Sequence, residues 1–284
     1  MKLILSRKGF DAGYGGVASP ILPSGELLSL PIPYKDPLRT YRTVHFNGQP
    51  LARLVRSLTK GKIGPNQTCH LDPDLRYDSV HRAAGWMPMF GQVGAAQTHL
   101  CKQGVGVGDL FLFFGWFRQT EYRGGQLLFV TGAKDVHMLY GWLQVGAVHQ
   151  PTGEFLDDHP WAGEHPHCLD NGWGTNNRIY LAALSLRLNG QDTGLAGGGV
   201  FPQYTETLRL TAPGRTRSIW RLPGWMHPAG KRSTLSYHGD PKIWQKDGAC
   251  RLLASRRKGQ EFVLEAEDYP EANNWVEGLF KEVG

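Results

Sequence analysis

The chain has 284 residues, of which 40% are hydrophobic and 20% charged, with 37 Gly and 18 Pro. That is enough apolar material for an ordinary core and too much glycine and proline for an all-helical or disordered chain. A net charge of +6 leans towards anionic partners such as nucleic acid. No apolar run approaches a bilayer span, and four cysteines without a CxxC pair argue for reduced thiols in a cytoplasmic protein with no membrane partner.

In chain order, residues 1–5 read as a strand that enters a polar, glycine-rich loop over residues 6–16. Residues 21–33 alternate prolines with apolar residues, as extended structure does. Leu51, Leu54, Val55 and Leu58 have helical spacing, which predicts a short amphipathic helix ended by Gly61. Residues 69–76, CHLDPDLR, form a strand or loop rich in acids, and residues 95–103 a helix stopped by Gly104. Two runs, DLFLFFGWF at 109–117 and VHMLYGWLQVGAV at 136–148, are strong strand signals. The turn at Arg123, Gly124 and Gly125 lies between them, with a possible strand over 127–130. Residues 151–174 are a long polar loop, 177–188 return to strand character, and 194–199 read as a flexible turn. The tail carries short strands near Leu208 and Leu252 and a helix over 269–283. The densest basic stretch is 251–258. No repeat or linker divides the chain, so one decorated domain over 1–284 is expected.

The central order of elements resembles the PUA-like superfamily, which includes EVE, ASCH and YTH domains. The carriers are Gly108-Asp109 entering a strand and the small-residue run from Gly141 to Gly146. The resemblance implies an α+β fold with a PUA-like small β-barrel and flanking helices. Its core would span about 85–190, with N-terminal loops 6–80 contributing to a pocket and a C-terminal extension over 190–284. Such a barrel holds a base by backbone groups and stacked rings. The base-binding candidates are Phe10, Gln92, Gln97, Trp116 and Trp142; core packing is the competing role for the two tryptophans.

Longer phrases are more specific. SRKGFDAGYGGVASPILPSGELLSLPIP at 6–33, HLDPDLR at 70–76, FGQVGAAQTHLCKQGVGVGDLFLFFGWFR at 90–118, DVHMLYGWLQVG at 135–146, HPH at 165–167, GQEFVL at 259–264 and YPEA at 269–272 resemble a bacterial and phage family. It is the nucleotide-modification-associated domain family, third type, and the likeness runs nearly end to end. The resemblance implies DNA or a modified nucleobase or nucleoside as substrate, and other DNA-modification proteins as partners. Related systems insert 7-deazaguanines into DNA and convert a 7-cyano group to an amide. Hydration of that nitrile is therefore the sharpest expectation. A non-catalytic reader of modified bases and an amidohydrolase of acylated nucleosides are the alternatives.

Nitrile hydration needs an activated water and a proton for the nitrile nitrogen. Lys8 and Asp11 in the first loop, and His70, Asp72 and Asp74 in the second, are the catalytic candidates, provided the two loops meet. Turn capping is the competing role for the acids. Arg7, Arg76 and Arg118 are candidates for phosphate or DNA contact. Cys69 beside His70 is a conceivable nucleophile, although free cysteines, Cys101 included, are usually small buried hydrophobes. His159, His165, His167 and Cys168 crowd one loop, yet their spacing fits no standard zinc pattern. No cofactor and no metal are expected, and no phosphate loop or nucleophile elbow is present.

Overall fold

The computed structural model describes residues 1–169, 172–230, 233–255, 259–281 and 283. Its centre is an open mixed sheet. The strands run in the order Glu261–Glu265, Lys2–Arg7, Leu110–Arg123, Val136–His149, Arg178–Ala182 and Met89–Gln92. Ser19–Ile21 and Gln126–Phe129 add to the far half of Leu110–Arg123, and Gly198–Val200 adds to Val136–His149. The sheet does not close, so the expected small barrel is corrected to an open sheet. Mixed α+β architecture is observed, with four α-helices among the described residues.

Burial explains why the two central runs are so apolar. Leu110 to Phe114 and Val136 to Val145 are buried at every position, because both sheet faces are covered. The strand Lys2–Arg7 pairs parallel with Leu110–Phe114 and antiparallel with Glu261–Glu265. The register slips between Leu139 and Gly141 and again between Val145 and Ala147. Such bulges bend the strand. Gly141 also makes room for a neighbour: a Cβ there would stand 2.6 Å from Leu75 Cδ1 and 2.9 Å from Gly199 O. The acid-bearing loop at 70–76 is thereby seated directly on the central strand.

The remaining elements cover the sheet. The helix Leu51–Leu58 buries Leu51, Val55 and Leu58 in a second cluster with Phe10, Leu30, Tyr41 and Val44. The helix Gly94–Lys102 buries Gln97 and Leu100. The last helix, Pro270–Phe280, starts with Pro at a position that needs no N–H donor, and its Phe280 packs edge-on against Trp142. Several expectations for the loops change. Residues 151–174 contain a helix, Gly153–Asp158, and two 3-10 turns. Residues 191–196 and 198–200 are strands rather than a flexible turn, and the segment at Leu208 is a 3-10 turn. Of the basic stretch, Arg256, Arg257 and Lys258 lie outside the described residues.

Candidate functional site

Two loops meet at one end of the strand Met89–Gln92. The first begins with the strand Cys69–His70, which pairs with Ile32–Pro33. It continues to Asp74, whose backbone exchanges two hydrogen bonds with Met89. Between them the Asp72 side chain turns inward and accepts the Gly91 N–H at 2.7 Å through Oδ1. The second loop brings the 3-10 turn Pro166–Cys168 onto the same strand. The result places one ring nitrogen of His70, one of His167 and one oxygen of Asp72 within 4.8 Å of one another.

Hydrogen bonds fix the tautomers of two histidines. Asn177 donates Nδ2 to the His167 carbonyl at 2.7 Å, so its Oδ1 must accept from His167 Nδ1–H at 2.8 Å. His167 Nε2 is then a free lone pair. His165 Nδ1 accepts the His167 N–H at 3.2 Å, which puts the ring proton on Nε2. That nitrogen stands 3.3 Å from Asp72 Oδ1. The alignment falls short of a hydrogen bond, so the contact is electrostatic. His70 Nδ1 is buried without any hydrogen-bond partner.

The electrostatics follow from burial. Desolvation takes His70 down to about 3, with Asp72 opposing the shift and His167, His165 and Lys8 adding to it. His167 falls to about 4 for the same first reason. Burial alone would raise Asp72, but His165, His167 and His70 hold it below the usual carboxylate range. At neutral pH the cluster is two neutral imidazoles beside one carboxylate.

An aromatic path leads to the cluster from solvent. Trp173 stacks on His167 with centroids 4.7 Å apart and planes 6° apart. Tyr34 stacks on Trp173 at 6.0 Å and 17°, and Tyr14 lies beyond Tyr34 at 6.4 Å. Tyr34 and Tyr14 are exposed. On its other side Asp72 lines a cleft with Gly9, Ser29, Leu75 and Tyr140. Its volume of about 60 Å³ suits a few waters, not a base.

Of the expected catalytic residues, the structure brings His70 and Asp72 together. Lys8 is near enough to act electrostatically on His70 and His167, and is held by Glu261 Oε1 at 2.8 Å. Gln92 donates to the same Glu261 oxygen at 2.6 Å. Asp11 stands apart: its Oδ1 caps the Gly13 and Tyr14 N–H groups at 2.7 Å each. Asp74 is taken by a buried, bidentate pair with Arg82.

Most of the expected base-binding side chains have partners inside the protein. Phe10 and Trp142 are in the core; Trp142 packs on Phe201 and donates to the Ala196 carbonyl. Gln97 is buried between Tyr180 Oη and Cys101 Sγ. Trp116 lies beneath the Arg217 guanidinium at 3.9 Å. The arginines expected to meet phosphate have partners within the chain. Arg7 donates to the Gly259 carbonyl, Arg76 to Asp78, and Arg118 to Asp135. Burial pushes the Cys69 thiol up to about 12, which removes it as a nucleophile at neutral pH. His159 stacks on Phe155 and Cys168 is raised to about 12 by burial, so the histidine-rich loop supplies His167, with His165 behind it, and not a four-residue set.

Tyr34, Trp173 and Asn177 join the site without being among the residues that the sequence singles out. A signal existed for two of them: Tyr34 follows Pro31 and Pro33, and Trp173 sits between two glycines, where large rings on loops have little packing to do.

Gly91 shows how tightly the cluster is built. A Cβ there would stand 2.3 Å from His167 Cγ and Cδ2. Gly91→Ala is expected to displace the His167 ring and cost about 1–3 kcal/mol. Urea unfolding reads the cost, and the His167 ring resonances in an NMR spectrum read the displacement; unchanged resonances would contradict this geometry.

A family model described as nucleotide modification associated domain 3 matches residues 2–265. No curated protein and no solved structure is significantly similar to the chain.

Proposed function

Because the chain belongs to the nucleotide modification associated domain 3 family, we propose that it is an enzyme that adds water to an electrophilic carbon of a nucleobase, with the nitrile of 7-cyano-7-deazaguanine in DNA as the substrate. The observation that supports this reading is the convergence of His70, Asp72 and His167 at the inner end of the Tyr34–Trp173 wall. A flat base stacks on such a wall, and stacking on an aromatic side chain contributes about 1–3 kcal/mol per base. Because the acid lies below the surface, the base must leave the duplex stack to reach it.

The chemistry balances without a redox partner. The water oxygen bonds to the nitrile carbon as one carbon–nitrogen π bond breaks. A water proton leaves to the cluster, and a proton returns to the nitrogen. The imidic acid so formed rearranges to the amide. Lys8, fixed by Glu261, adds positive potential where negative charge develops on that nitrogen. Lys35 follows Tyr34 on the segment that carries the outer wall, where flanking phosphates would run.

The test is to incubate the protein with single-stranded and duplex DNA carrying 7-cyano-7-deazaguanine, digest it, and look for a mass gain of one water. Asp72→Asn is expected to lower the rate at least 100-fold, and Tyr34→Ala to raise KM more than it lowers kcat. Tight binding of the modified DNA with no mass gain would replace this reading with a non-catalytic reader. Release of a carboxylic acid from acylated nucleosides would replace it with an amidohydrolase.

A further inference from the structure

We infer that His70, Asp72 and His167 form a site for a single divalent first-row transition ion, of the zinc or iron(II) class. Two imidazoles and one carboxylate, with remaining positions open to water or substrate, is the donor set such ions take in catalytic sites.

Four observations carry this. The donor atoms already lie within 4.8 Å of one another, with no ion in place. Bonds of 2.0–2.1 Å would draw them to roughly 3.3 Å apart, a closure that side-chain rotation supplies. His70 Nδ1 is buried and has no hydrogen-bond partner, a state that folded proteins avoid unless another group satisfies it. His167 is oriented as metal-bound histidines are: Asn177 accepts its Nδ1–H and leaves the Nε2 lone pair free. Asp72 is oriented too, since the Gly91 N–H and His165 both meet Oδ1, leaving Oδ2 as the unengaged oxygen. His165 therefore acts through Asp72, as a positioning residue.

The segments that supply the donors are far apart in sequence. His70 and Asp72 come from the loop after Cys69, and His167 from the turn Pro166–Cys168. An ion here would tie the two loops to each other across the strand Met89–Gln92. This deepens the functional reading, because the water to be activated would be the ion's. It rests on that reading for the role alone; binding is measured without substrate.

The experiment uses the full chain, purified without a metal-affinity tag, stripped with a strong chelator and titrated separately with Zn²⁺, with Co²⁺ as a visible-absorption probe, and with Fe²⁺ under anaerobic conditions. The expected result is one ion per chain, cobalt bands of a nitrogen–oxygen site, and a rise in melting temperature on binding. The Zn²⁺ and Fe²⁺ arms show which ion binds more tightly. His70→Ala and His167→Gln should each weaken binding at least 100-fold, and Asn177→Ala roughly 10–100-fold. His159→Ala should leave it unchanged. Less than a fifth of an equivalent bound to the wild-type chain would overturn the inference, whatever the variants do. So would equal binding by wild type and His167→Gln. Ion binding without nitrile turnover supports this site and removes the functional reading; turnover by fully stripped protein supports that reading and removes the ion's role in it, while the binding titration alone decides the site.

Discussion

Replacing Arg82 with methionine is expected to destabilise the protein by roughly 3–5 kcal/mol, a large part of the stability of an ordinary domain. Arg82 and Asp74 have side chains only 5% exposed. The guanidinium meets the carboxylate through two bonds of 2.6 and 2.5 Å, and also holds the Arg76 carbonyl at 2.6 Å. Trp86 covers one face of it at 4.2 Å. Removing the arginine leaves a carboxylate buried without its counter-charge, which costs more than the pair contributes. The double variant Asp74→Leu with Arg82→Met should therefore be more stable than Arg82→Met alone. Urea unfolding of the three proteins decides it; a single-variant cost below about 1 kcal/mol would remove the buried-charge account. Activity should fall as well, since the same loop carries His70 and Asp72.

The second large effect is on stability against pH. His137 is buried on the central strand, where its Nδ1 accepts the Trp220 indole N–H at 2.9 Å. Desolvation lowers it to about 3, helped by Arg217 and Arg7 and opposed by Asp135. The folded pKa is depressed, so the unfolded chain binds more protons throughout the window between the two values. The contribution is fully present above about pH 6.5 and is lost progressively as pH falls towards 3, amounting to about 5 kcal/mol in total. His137→Asn keeps an acceptor for Trp220 and has nothing to titrate. Unfolding free energies measured from pH 7 to pH 4 should fall less steeply in this variant than in the wild type. Parallel slopes would show that His137 is not the group responsible.

The sequence was legible where one physical rule acts alone. The runs at 109–117 and 136–148 are too apolar to be anything but covered strands, and the spacing of Leu51, Val55 and Leu58 is helical. The barrel was not legible, because the same strands serve a closed and an open sheet, and closure depends on pairings between distant edges. Trp142 shows a related limit. A tryptophan that packs on Phe201 and one that stacks on a base look alike until the facing surface is known.

At the site, His70 and Asp72 were legible because an acid-rich loop beside histidine is chemically unusual. Asp11 and Asp74 were equally plausible from composition, and only their hydrogen bonds separate them from Asp72. One caps a turn and the other is neutralised by Arg82. His167 stands out in the sequence for its crowded loop, but its joining His70 depends on Gly91 leaving space for the ring. That is a fact about shape, carried by a residue with no chemistry of its own.

The strand Lys2–Arg7 lies between Leu110–Phe114 on one side and Glu261–Glu265 on the other. During synthesis its neighbour at 110–114 is made long before its neighbour at 261–265. Until residue 265 has left the ribosome, this strand presents an unpaired edge to the cell. Lys8 waits equally long for Glu261. A nascent chain stalled before residue 261 would therefore hold His70, Asp72 and His167 while Lys8 lacks its anchor, and it would be open to pairing with the edge of another chain.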